Sequence, residues 1–219
     1  MTGLRLPRRV LSIIILGVLG FAIALSLPVA SNPINPAPEP TSEMITFFEN
    51  RTREHINRVH HNLTILAKLP TYPQDILSRG EIHDASKFVQ PERVPYIWLT
   101  EFYRRRQSGE VFTYPNGVEE QVKAAIHHHV TTNRHHPEFH ASPNDMSDVD
   151  LIEMVCDWTA IAQELEENGV ERNGGSARSW ADRTIGKREG FNFSEAKKEF
   201  IYQVIDDLDR QRTISSLER

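Results

Sequence analysis

From Glu43 to the C-terminus, apolar residues return every three or four positions, and no stretch alternates them convincingly with polar ones. "MITFFENRTREHINRVHHNLTILAKL" sets the pattern, with Ile45, Phe48, Ile56, Val59, Leu63, Ile65, Leu66 and Leu69 at helical spacing. A chain with this period buries its apolar stripes helix against helix, so the expected fold class is all-α. Pro70 and Pro73 end the first helix. A second is expected from about Gln74, through His83 and Asp84, to Lys87. A third starts at Pro91, is interrupted at Pro95 and stops near Gly109. "VEEQVKAAIHHHV" is helical again, and "TTNRHHPEFHASPND" is an irregular polar connection. "DVDLIEMVCDWTAIAQELEENG" carries acids in its first turn and Gly169 as its stop. Two further helices are expected, over about 178–187 and 194–211. The stripe of Phe200, Ile201, Val204, Ile205 and Leu208 suits packing on the domain or a homodimer contact.

The N-terminus differs in kind. Arg5, Arg8 and Arg9 precede a run from Val10 to Ala30 that contains no charge, so residues 1–30 read as a signal peptide or a membrane anchor. No arginine or lysine follows until Arg51, which places the body outside the cytoplasm, either secreted or held by a single N-terminal helix. Residues 31–43, with four prolines, read as an extended linker. The remainder divides into a domain over 44–168 and a helical extension over 169–219 that packs on it. The formal charge of −5 argues against a general nucleic-acid binder. Cys156 is the only cysteine, so no internal disulfide forms, and packing or a metal must supply the stability.

The chemistry concentrates in histidine. Six of the ten, His127, His128, His129, His135, His136 and His140, fall within fourteen residues, and the others are His55, His60, His61 and His83. Neutral imidazoles ligate metals, and carboxylates add charge and harder oxygen donors. In "HDASKF", Lys87 follows Asp84 by about one helical turn, so both can face one cleft. Asp157 lies among Met154, Val155, Trp158 and Ile161, a setting in which an unpaired carboxylate is costly.

These residues carry a resemblance. "HINRV" at 55–59 resembles the first-histidine helix of the HD superfamily of metal-dependent phosphohydrolases. "HDASK" resembles its His-Asp-x-Gly-Lys box, with Ser86 in place of glycine, and Asp157 in "EMVCDW" matches its final aspartate. "NRHHPE" and "EMVCDW" look closer still to a small, functionally uncharacterised branch of that superfamily. The resemblance covers about residues 44–165.

It implies an HD-like helical bundle in which His55, His83, Asp84 and Asp157 hold one divalent cation, with His128, His135 and His136 as candidates for a second. His127, His129 and His140 serve less well, because consecutive helical residues point about 100° apart. Asp84 and Lys87 would carry catalysis, with the Lys87 ammonium on a phosphate oxygen. Asn133 and Glu138 would orient the His-rich segment or touch substrate, and Glu153 would orient a metal-bound histidine. The implied cofactor is one or two ions drawn from Mn, Fe, Mg, Zn, Co or Ni. The implied reaction is hydrolysis of a nucleotide or another small phosphorylated compound. Ser86 either narrows the phosphate end or adds a hydroxyl contact there. Two rival readings share the ligand inventory: a non-catalytic His-rich metal binder, and a di-iron oxygenase on the same scaffold.

Overall fold

Thr41 opens the first helix by accepting a hydrogen bond from the Met44 N–H at 3.3 Å, satisfying one of the donors a helix start leaves free. That helix, α1 (Ser42–Ala67), buries Phe48, Thr52, His55, Val59, Leu63 and Leu66 along one stripe. It is the hub of the computed structural model, packing against four other helices. The structure describes residues 38–169, 176–188 and 190–217. The uncharged leader and much of the proline-rich linker expected at the N-terminus lie outside them.

Helix α2 (Ile76–Ile82) crosses α1 closely at Gly80, where an added Cβ would lie 2.8 Å from His60 Cδ2 and 3.1 Å from Leu63 Cδ1. It does not run on to Lys87 as the periodicity suggests. His83 leaves helical geometry (ψ 129°), and Asp84 takes the left-handed conformation (φ 57°). Aspartate is one of the few residues with a side chain that visits this region readily. The reversal buries both His83 and Asp84, and a short 3₁₀ turn, Ala85–Phe88, then brings Lys87 back beside Asp84.

Helix α3 (Arg93–Gln107) is not interrupted at Pro95, because that residue falls in the first turn, where the missing N–H has no intrahelical partner to lose. Helix α4 (Val118–Thr132) leads into the His-rich connection. Helix α5 (Asp148–Glu167) opens on a capping box between Ser147 and Asp150. After it come α6 (Ala177–Thr184) and α7 (Glu195–Leu217). Among the described residues there is no strand, only an isolated bridge between Ile185 and Phe191. No described helix is long and apolar enough to cross a membrane.

Two apolar clusters form. The larger joins α1, α5, α6 and α7 through residues such as Leu66, Ile152, Val155, Trp180 and Ile201. The stripe of α7 is covered by the chain itself, with Ile201, Val204, Ile205 and Leu208 fully buried. The C-terminal helices thus complete the same core as α1 and α5. The smaller cluster gathers Met44, Phe48, Ile97, Trp98, Val118 and Val122 from α1, α3 and α4. Cys156 is buried in the larger one, as a small apolar residue.

The start of α5 is braced by charge. Asp150, fully buried, accepts from Arg134 at 2.9 and 3.1 Å and faces Arg79 at 3.1 Å. Burial alone would raise its pKa, but the hydrogen bonds from Arg134 and Ser147 hold it below the ordinary 3.8. A carboxyl lowered on folding contributes stability above its unfolded value and loses it as pH falls through the folded one. Asp150→Asn is therefore expected to cost about 3 kcal/mol near neutral pH. The gap to the native chain should narrow below about pH 4. Urea unfolding across that range checks it, and a gap of constant size would contradict the assignment.

Candidate metal centre

Three elements bring four donors together. His55 comes from the middle of α1, His83 and Asp84 from the reversal after α2, and Asp157 from α5. His55 Nε2 lies 3.0 Å from Asp157 Oδ1 and 3.5 Å from Asp84 Oδ2. His83 Nε2 lies 3.4 Å from His55 Nε2, 3.7 Å from Asp84 Oδ2 and 3.8 Å from Asp157 Oδ1. Ligands roughly 2.0–2.2 Å from one ion stand about 3.0–3.5 Å apart, so this spacing suits a shared cation.

The opposite oxygen of Asp84 faces a second set. His129 Nε2 lies 3.2 Å from Asp84 Oδ1 and His135 Nε2 lies 3.8 Å from it. The ligand atoms of His129, His135 and His136 lie within 4.8 Å of one another. Asp84 Oδ1 and His136 Nε2 are buried without any hydrogen-bond partner. Polar atoms buried in one cluster without a well-formed hydrogen bond are expensive unless another partner, such as a cation, lies near them. The residues therefore fit a metal on both sides of Asp84.

Carboxylates behind the histidines set which nitrogen faces inward. Glu153 Oε1 lies 2.8 Å from His83 Nδ1 and 3.3 Å from His135 Nδ1. Burial would raise Glu153, but its hydrogen bonds with His135 and His83 bring it down to about 2, so it is ionised and accepts from both rings. That turns each Nε2 toward Asp84, 3.7 Å from Oδ2 for His83 and 3.8 Å from Oδ1 for His135. Burial opposes a charge on His83, yet Asp84, Glu153 and Asp157 raise its pKa above the ordinary 6.5. Glu153 is itself neutralised by Arg79 at 2.5 Å, which makes it an orienting group for the ligands. Glu92, fully buried, does the same on the other side, 2.9 Å from His129 Nδ1. Burial opposes ionisation of Glu92, yet its contacts with His129, His128 and Ser86 lower its pKa. Ser86, the departure from glycine in the box, donates to Glu92 at 2.8 Å. Its hydroxyl braces this orienting carboxylate.

Protonation states follow. Burial would raise Asp84, but Lys87, His83 and His129 hold it well below the usual carboxylate range. Asp157 is lowered in the same way, burial being outweighed by His55 and His83. Burial pushes His136 well down, helped by His135 and His129, so it stays a neutral donor of electrons. His135 is lowered by burial and by His83.

Of the residues singled out in the sequence, His55, His83, Asp84, Asp157, His135, His136 and Lys87 are brought together. His128 is not. Its Nδ1 is taken by Glu92 at 2.7 Å while its side chain is 40% exposed, and His129 occupies the inward position. Asn133 stands behind the cluster, donating to Ser86 at 3.1 Å, and does not line the cavity. Glu138 is exposed on the 3₁₀ turn Pro137–Phe139 and does not line it either. His60, His61 and His127 are exposed, and His140 bonds to the Arg134 carbonyl. Arg104 and Arg105 pair with Glu101 on their own helix, away from the cluster. Sequence reasoning missed Glu92 altogether.

One side of the cluster opens into a cavity of about 190 Å³. Lys87 stands at this end, with Nζ 2.5 Å from Asp84 Oδ2 and 5.2 Å from the centre of the Tyr96 ring.

A protein-family model matches residues 44–207, and its description is a family of unknown function, DUF5662. No curated protein and no solved structure matches the chain.

The two neighbouring histidines give a sharp test. His129→Ala should reduce the metal bound by the reconstituted protein, whereas His128→Ala should leave it unchanged within about a fifth, because His128 only braces Glu92. Elemental analysis of the two variants beside the native chain decides the matter. Equal losses in both would contradict the inward placement of His129.

Proposed function

The chain belongs to the DUF5662 family, and we propose that it is a metal-dependent phosphate-ester hydrolase on an HD-type helical scaffold, acting outside the cytoplasm. One observation carries the reading: Asp84 presents one oxygen to His55 and His83 and the other to His129 and His135, beside a cavity that contains Lys87. A shared carboxylate between two histidine sets suits a pair of divalent ions, with His55, His83 and Asp157 on one and His129, His135 and His136 on the other. Ions held there would acidify water and polarise a phosphoryl oxygen.

The chain's own residues supply the rest. Glu92 and Glu153 fix the imidazoles, so that their Nε2 atoms face Asp84 before any ligand arrives. Asp84, Asp157 and the neutral His136 keep the cluster rich in acceptors, which suits cations. Lys87 offers an ammonium to a phosphoryl oxygen entering from the cavity, as a point charge able to follow the moving group. The walls of α1, α3 and α5 restrict bulk water around it, and the cavity favours a catalyst over a storage site, which needs no room for a second molecule.

The test uses the full chain reconstituted with manganese or another divalent ion, assayed without oxygen for release of inorganic phosphate from a panel of esters. Turnover is expected, and Lys87→Ala should lower kcat/KM by about 10²-fold while metal content is retained. Release of phosphate that requires both iron and oxygen would point to oxygenase chemistry. No release with any ion would leave a metal binder.

A further inference from the structure

We propose, resting on the hydrolase reading above, that the site selects monoesters of compact apolar alcohols, with one ring or a short branched chain, and discriminates against nucleotides. Three properties of the cavity point there.

The first is what covers its walls. Tyr96, Leu99, Thr100 and Tyr103 of α3 all line it, spaced at threes and fours so that they form one stripe. Phe48 of α1 and Trp158 of α5 line it too. Aromatic and aliphatic walls reward apolar surface removed from water, and a stripe of rings offers flat faces to a flat ligand.

The second is charge. Among the described residues that line the cavity, the cations besides histidine are Lys87 and Arg51. Lys87 stands against Asp84 at the metal end. Arg51 is engaged by Glu164 through both oxygens, at 2.5 and 3.1 Å. A chain of phosphates leaving the metal end would therefore meet aromatic rings and a neutralised arginine, with no uncommitted cation to balance it. A single phosphoryl group at the cluster avoids that cost.

The third is size. About 190 Å³ is a little more than the ~150 Å³ that accommodates a benzene ring, and less than the roughly 300–1,000 Å³ of pockets for drug-sized ligands. A compact ester suits so small a space better than a nucleotide does.

The experiment measures binding, so that it stands apart from turnover. The full metal-reconstituted chain is titrated by calorimetry with phenylphosphonate, methylphosphonate and a non-hydrolysable methylene analogue of adenosine triphosphate. Phenylphosphonate should bind at least about tenfold more tightly than either of the others, the gain over methylphosphonate coming from the buried ring. Leu99→Trp, which fills the cavity from α3, should cut that preference to within about threefold and leave methylphosphonate unchanged. Tyr103→Ala, widening the same wall, provides a second variant, and unaltered metal content shows that each variant still folds around its site. Equal affinity for the two phosphonates, tighter binding of the triphosphate analogue, or a preference untouched by Leu99→Trp would each overturn the proposal. If the phenyl preference holds while phenyl phosphate is not turned over, the selectivity stands and the hydrolase reading falls.

Discussion

The placement of Asp84 is the constraint on which the rest depends. Its side chain is 1% exposed, its backbone is left-handed, and each oxygen faces histidine nitrogens. Removing an ionised carboxylate from water costs several kcal/mol even after the protein relaxes, so the surroundings must return positive charge. Lys87 does this on one side, through a single 3₁₀ turn that brings it within 2.5 Å. The remaining donors come from α1, α4, α5 and the His-rich connection, which converge on the point where α2 ends.

Behind the donors stands a layer that gives the fold its polar core. Arg79 of α2 bridges Glu153 and Asp150, and Asp150 also caps α5 and holds Arg134. Glu153 then fixes His83 and His135 together. The helix start, the loop that carries His135 and the reversal that carries His83 are therefore tied through three charged groups. A change in any of these groups should be felt at the ligands without touching them, because imidazole orientation is what the layer controls. Glu92, Ser86 and Asn133 form the corresponding layer for His129.

Much of this was legible in the residues. The helical period marked the seven α-helices of the described residues, with α2 drawn too long, and the resemblance carried by "HINRV", "HDASK" and Asp157 implied one site drawn from three segments. Where the reading failed, the reasons are local. The period cannot foresee that Asp84 takes a left-handed turn, since its demand comes from burying two neighbouring polar side chains on one side. Pro95 reads as a break until the helix start is known to fall two residues before it. His128 was preferred to His129 although the phase of α4 was available: Val118, Val122, Ala125 and His129 form its buried stripe, and His128 lies off it. Glu92 left no usable signal. Its histidine partners lie 36 and 37 residues away, and a glutamate after proline resembles any first-turn acid.

The central claim is that the two oxygens of Asp84 serve two cations. Crystals of the manganese-reconstituted full chain, measured for anomalous scattering, test it most directly. The account predicts two peaks flanking Asp84, roughly 3.5–4 Å apart, one beside His55 and His83 and the other beside His129 and His135. Peaks elsewhere, or none within coordination distance of Asp84, would contradict it.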